Sequence, residues 1–234
     1  MTFPDHPFSD AGSFADAYFE RLATAAASVD RAALTKAAAI LEAAYRGGAT
    51  VYVCGNGGLA AIANTFVCDH SKLVQTDTPL TARVVSLSAN VPMMTAIAND
   101  AAYDDVFVYQ LQTFGRPGDV LVTVSASGDS ENVVRAAAWA RDNGLHVIAL
   151  TGFAGGRTGG LAEVHLHVDG DNYGVIEDTH QSLMHILAQF IRQAHMPEDL
   201  VAARKFWSRP VQPPIGMHRW VTNCSSGVPG SCRS

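Results

Sequence analysis

The stretch VYVCGNGGLAAIANTFVCDH, residues 51–70, passes from an apolar run through three glycines into a segment with helical spacing. A strand, a glycine turn and a helix in direct succession open a βαβ unit, which predicts a parallel sheet wrapped by helices. Three uses of the turn stand open: to cradle a dinucleotide, to let backbone approach a sugar phosphate, or only to make a tight connection.

Working outward, the same alternation continues. The short apolar runs TVYVCG, ARVVSL, DVLVTV, HVIALTG and EVHLHV are separated by helical patterns at 57–72, 91–98, 103–114 and 129–143, and a last helix is predicted over 174–195. The runs are apolar at nearly every position, as expected where helices cover both faces of a sheet. Upstream, 11–28 and 31–46 read as two alanine-rich helices, with Ser13 and Asp30 as N-caps and Gly47 as a stop. Their small faces suit close helix packing, and we expect them to lie across a subunit interface. The organisation expected is an N-terminal helical segment (1–48), one α/β domain (49–198) and an extended tail (199–234).

At 234 residues and 48% hydrophobic, the chain can bury one substantial core. The net charge of −6 with scattered basic residues argues against nucleic acid as a partner, so any anionic ligand must be held by local groups. No apolar run approaches the roughly 20 residues that cross a bilayer, and MTFPDHPFSD lacks a signal-peptide pattern, so the expectation is a cytoplasmic protein without a membrane partner. Cys54 and Cys68 fall in predicted core elements, while Cys224 and Cys232 lie in the Ser/Gly/Pro tail with no metal-like spacing.

A dinucleotide fold wants an acidic residue at the end of the next strand, about 20 residues on. ARVVSLSAN ends instead in serine and asparagine, which speaks against a nucleotide cofactor. The segment DVLVTVSASGDSENVV sets Ser125, Ser127, Gly128 and Ser130 between a strand and a helix. Free backbone N–H groups there form an anion site that needs no lysine, and the hydroxyls add donors. Ordinary capping by Ser127 or Asp129 would need only one of these side chains, and a bound phosphate requires Asp129 to be turned away. On the last helix, Glu177 and His185 lie eight residues apart, about 80° around the axis, with His180 about 60° to the other flank. With Asp69 they offer a carboxylate and an imidazole for proton shuttling between neighbouring sugar carbons, or ligands for zinc, or polar residues that satisfy one another.

The order GNGG, NDAAYDDVFVYQL, GDVLVTVSASGDSENVV, ALTGFAGG and EDTHQSLMH resembles the phosphoheptose isomerases of the sugar isomerase (SIS) domain family over roughly residues 10–195. The resemblance implies a flavodoxin-like sheet, a homotetramer whose helices form a central bundle, and active sites at subunit interfaces. It implies that Ser125, Ser127 and Ser130 grip the substrate phosphate, and that Asn56, Gly57, Gly58 and Asp100 face the sugar. The family's acidic residue after the glycine turn falls on Asp69, and its glutamine and histidine of the last helix fall on Glu177 and His185.

Two positions depart from the family pattern: Leu59 stands where serine is usual, and Thr65 where a histidine is usual. In relatives that bind zinc that histidine is a ligand, which leaves Asp69, Glu177 and His185 as the implied metal residues here, with Thr65 a poor fourth. Leu59 is expected to add bulk to the substrate pocket. The implied function is isomerisation of sedoheptulose 7-phosphate to a D-glycero-heptose 7-phosphate by enediol proton transfer. Asp69 is the candidate base, His185 the acid or its partner, and Glu177 an orienting or metal-binding group. The alternative is a non-catalytic phosphosugar-binding or regulatory protein on the same fold.

Overall fold

The structure, a computed structural model, describes residues 2–203. Five parallel strands form one sheet: β1 (Thr50–Gly55), β2 (Arg83–Ser86), β3 (Val120–Val124), β4 (His146–Thr151) and β5 (Val164–His167). Their spatial order is β2-β1-β3-β4-β5, the flavodoxin-like arrangement, with Val51 opposite Val84 on one side and Val120 on the other. All five strands fall where the apolar runs place them.

The helices are α1 (Ala11–Ser28), α2 (Arg31–Gly47), α3 (Gly58–Cys68), α4 (Val91–Asp100), α5 (Val108–Phe114), α6 (Glu131–Asp142), α7 (Gly156–Leu161), α8 (Tyr173–His195) and α9 (Glu198–Ala203). Alternate strand residues point to opposite faces, so the sheet carries two cores. Val53, Val122 and Leu150 meet residues of α2, α3 and α8, while Tyr52, Cys54 and Leu121 meet residues of α5 and α6. α1 and α2 both pack on α8, which ties the N-terminal segment to this domain. Among the described residues no helix is long and apolar enough to cross a membrane.

Several boundaries differ from the sequence pattern for local reasons. The segment expected as one helix over 57–72 is α-helical to Cys68 and π-helical over Asp69–Leu73. His70 in that turn is fully buried, stacked on Phe66 at 3.8 Å between ring centroids and hydrogen-bonded to the Tyr45 hydroxyl at 2.7 Å. The first cap is Asp10, whose carboxylate accepts from the Ser13 N–H, so Ser13 lies inside α1 rather than at its N-cap. The pattern at 103–114 divides into a 3₁₀ turn (Tyr103–Asp105) and α5. Glu198 and Asp199 in its first turn favour α9, which follows Pro197 inside the stretch expected to be extended from 199. The tail from 204, with Cys224 and Cys232, lies outside the described residues.

Candidate active site

The chain leaves β1 toward β2 and leaves β3 toward β4, in opposite directions across the sheet. The C-terminal ends of β1 and β3 therefore flank a crevice, the position at which open α/β sheets bind ligands. Both loops singled out in the sequence, 55–58 and 125–130, sit at this crevice.

In the first loop, Gly57 caps α3 with φ 56° and ψ −125°, a combination that disfavours any residue with a Cβ. A Cβ at Gly58 would lie 2.6 Å from Glu177 Oε2, so the glycine makes room for the carboxylate of α8 beside the start of α3. Burial pushes the Glu177 carboxyl above its ordinary range, and the neighbouring Asp178 charge adds to the shift. Asn56 exchanges two 2.9 Å hydrogen bonds with Asn132 of α6, and Asn56 Oδ1 accepts a third from the Tyr103 hydroxyl at 2.9 Å. The Asn56 side chain thus links the first loop to the helix that follows the second.

The serine loop is held from within. Ser125 is 3% exposed and its Oγ accepts from the Gly128 N–H, while Ser127 Oγ accepts from the Asp129 N–H. Ser130 is the residue at the N-cap of α6, yet its side chain makes no capping bond. The hydroxyl is left for another acceptor, which ordinary capping does not explain. The Asp129 carboxylate is bound by Arg157 of α7, through both the backbone N–H at 3.0 Å and Nε at 3.1 Å.

Along α8, His185 Nδ1 lies 2.7 Å from Asp69 Oδ2, and the Gln181 amide nitrogen lies 2.9 Å from His185 Nε2. With the amide donating to Nε2, the imidazole carries its hydrogen on Nδ1 and donates it to Asp69. Glu177 lies eight residues before His185 on α8, beside the start of α3. Among the described residues no group of three or more His, Cys, Asp or Glu side chains is placed to hold a metal ion. Thr65 turns its hydroxyl back to the Ala61 carbonyl at 3.0 Å. Thr65 supplies no imidazole at the position where the resemblance implies a ligand, which leaves Asp69, Glu177 and His185 as the residues that would hold a metal.

Other expected residues fall differently. Leu59 is 7% exposed and belongs to the core between the sheet and its helices, so its bulk fills the interior rather than the crevice. Asp100 is exposed at the end of α4 and bonds its neighbour Asn99. The same segment reaches the glycine turn through Tyr103, three residues on. His180 is buried against the Thr151 carbonyl at 3.1 Å, a core role.

A SIS domain family model matches residues 14–152. The phosphoheptose isomerase of Mycobacterium tuberculosis is 40% identical over 169 residues, which cover 70% of this chain and 85% of the relative. The chain belongs to the SIS-domain phosphoheptose isomerase family. The phosphoheptose isomerase of Bordetella avium is similarly close, at 41% identity over 162 residues, covering 68% of this chain and 81% of its own. The solved phosphoheptose isomerase of Neisseria gonorrhoeae superposes with a TM-score of 0.71 at 31% identity, covering 78% of this chain and 98% of its own.

Tyr103, Asn132 and Gln181 were not singled out by the sequence. Asn132 lies two residues beyond Ser130 in the first turn of α6, and its 2% exposure is the feature that marks it. A buried amide needs partners, and Asn56 supplies them.

Proposed function

We propose that this protein is a ketose/aldose phosphosugar isomerase that converts sedoheptulose 7-phosphate to a D-glycero-heptose 7-phosphate. The observation that carries the reading is the directly bonded Asp69–His185 pair, in a chain that also carries the serine loop at the crevice between β1 and β3. The free Ser130 hydroxyl and the backbone at the start of α6 bind the phosphate, together with Ser125 and Ser127. Asp69 takes a proton from C1 of the ketose, leaving a 1,2-enediol, and a proton returned to C2 gives the aldose. His185 moves the proton between the two substrate oxygens, and Gln181 holds its ring in place. Glu177, next to Gly58, orients the sugar, and Asn56 and the glycine backbone face it.

The same reading places the protein in the cytoplasm as a homotetramer without a nucleotide cofactor. Phe19 of α1 and Ile186 and Phe190 of α8 are large apolar side chains exposed by 64%, 48% and 48%, which supports burial of these helices against other copies. The second reading, a phosphosugar-binding regulator, is favoured by Thr65, whose hydroxyl is spent on its own helix. Incubation with sedoheptulose 7-phosphate in deuterium oxide separates the two. The isomerase forms an aldose phosphate carrying deuterium at C2, with partial labelling where the abstracted proton returns before exchange. Binding without product would overturn the isomerase reading in favour of the regulator.

A further inference from the structure

We propose that Arg157 is the residue that allows the serine loop to accept a phosphate dianion, by neutralising the carboxylate of Asp129 at the loop's mouth. The inference rests on the serine loop being the phosphate site. The positive end of a helix amounts to about half a charge, and the acidic side chains of Asp129 and Glu131 oppose it at the start of α6. An arriving dianion therefore meets two like charges unless they are compensated.

Arg157 is built to compensate them. Its Nε lies 3.1 Å from Asp129 Oδ1, one terminal nitrogen lies 2.8 Å from the Asp129 carbonyl, and the other lies 2.9 Å from Glu131 Oε2. The backbone fixes this position independently of the side chain. The Arg157 N–H donates to Asp129 Oδ1 and the Thr158 N–H donates to the Gly128 carbonyl, both at 3.0 Å. Gly128, at φ 67°, lies so close to Gly155 and Gly156 that a Cβ would collide with their backbone. The turn before α7 is thus seated on the serine loop.

The two carboxylates are not equivalent. Glu131 also receives Arg135 at 3.0 Å, whereas Arg157 is the one cation paired with Asp129 among the described residues. Hydrogen bonds from the Arg157 backbone and side chain hold the Asp129 carboxyl below its usual range, so it stays ionised wherever the substrate phosphate is a dianion. Loss of Arg157 leaves Asp129 as the uncompensated charge. One such charge within a Debye length, about 8 Å at physiological ionic strength, weakens dianion binding by about five- to tenfold.

The test is calorimetric titration of sedoheptulose 7-phosphate and of inorganic phosphate into the parent, Arg157→Ala, Asp129→Asn and the double variant. Unliganded melting serves as the check on folding. Arg157→Ala should bind both probes about five- to tenfold more weakly, with the difference shrinking as salt is raised. Adding Asp129→Asn should restore affinity to within about twofold of the parent, because the charge that Arg157 offsets is gone. Unchanged binding in Arg157→Ala overturns the proposal. So does a loss that Asp129→Asn leaves unrescued, which would mean that Arg157 touches the ligand or only shapes the loop. If Ser127→Asp leaves parent-like binding, the ligand sits elsewhere and the phosphate-site reading itself fails, which separates that failure from failure of the Arg157 role.

Discussion

His185 and Asp69, 116 residues apart in the chain, meet at 2.7 Å because the π-helical turn after α3 brings Asp69 against α8. A hydrogen-bonded carboxylate and imidazole act as one proton-transfer unit. Asp69→Asn keeps the shape and removes the base, and His185→Gln keeps some hydrogen bonding and removes the titrating ring. Each should lower the isomerisation rate by at least about 10²-fold while leaving phosphosugar binding in place. Parent-like turnover in either variant would remove that residue from the chemistry.

The serine loop predicts selective stabilisation by phosphorylated sugar. Sedoheptulose 7-phosphate should raise the melting temperature, since a ligand that binds only the folded state stabilises it by mass action. Ser127→Asp places a negative charge in the loop and should abolish the rise. Equal stabilisation of variant and parent would locate the phosphate elsewhere.

Much of this arrangement is legible in the sequence, and the portions that are not share a cause. Strands such as Val120–Val124 are buried at every position, so their apolar runs stand out without reference to the rest of the fold. The glycine and serine loops follow from those strands because each interrupts a strand-to-helix junction. The helix GRTGGL carries no helical period because half of it is glycine, which disfavours helices, yet α7 is held by its seat on Gly128. The Asn56–Asn132 exchange and the Gln181–His185 bond depend on which side chains face one another across elements, and no local period records that. The same limit applies to Glu177. Its angular position on α8 puts it on one side with His185, but its neighbour Gly58 at the start of α3 is not recorded in that period.

The metal prediction follows from Thr65. Asp69, His185 and Glu177 are the implied ligands, and Thr65, whose hydroxyl bonds the Ala61 carbonyl, is a poor fourth. Zinc should bind weakly and be lost on dialysis against a chelator, as read by elemental analysis. Stoichiometric zinc that survives the dialysis would contradict the arrangement described here.

Exposed Phe19, Ile186 and Phe190 predict self-association. Light scattering should return the mass of four chains, and Phe190→Asp should shift the protein toward smaller species by placing a charge on the apolar face. A monomeric parent at micromolar concentration would rule out an active site shared between subunits.

The pH dependence of stability is set in part by two buried histidines. Burial pushes His70 down to about 3 and His180 down to about 4, against 6.5 for the exposed ring. Between pH 6.5 and about 4 the unfolded chain therefore binds protons at both rings while the folded chain does not. Stability from these groups is fully present above pH 6.5 and is lost as the pH falls toward 4. By pH 5 the loss is about 2 kcal/mol for each ring. Glu177, whose carboxyl is raised, acts in the opposite sense and offsets a portion of it. Denaturant unfolding at fixed protein concentration should show stability falling with pH across this window, and His180→Gln should lower the slope by about one proton. A slope unchanged by His180→Gln would show that His180 titrates in the folded protein as it does in the unfolded chain.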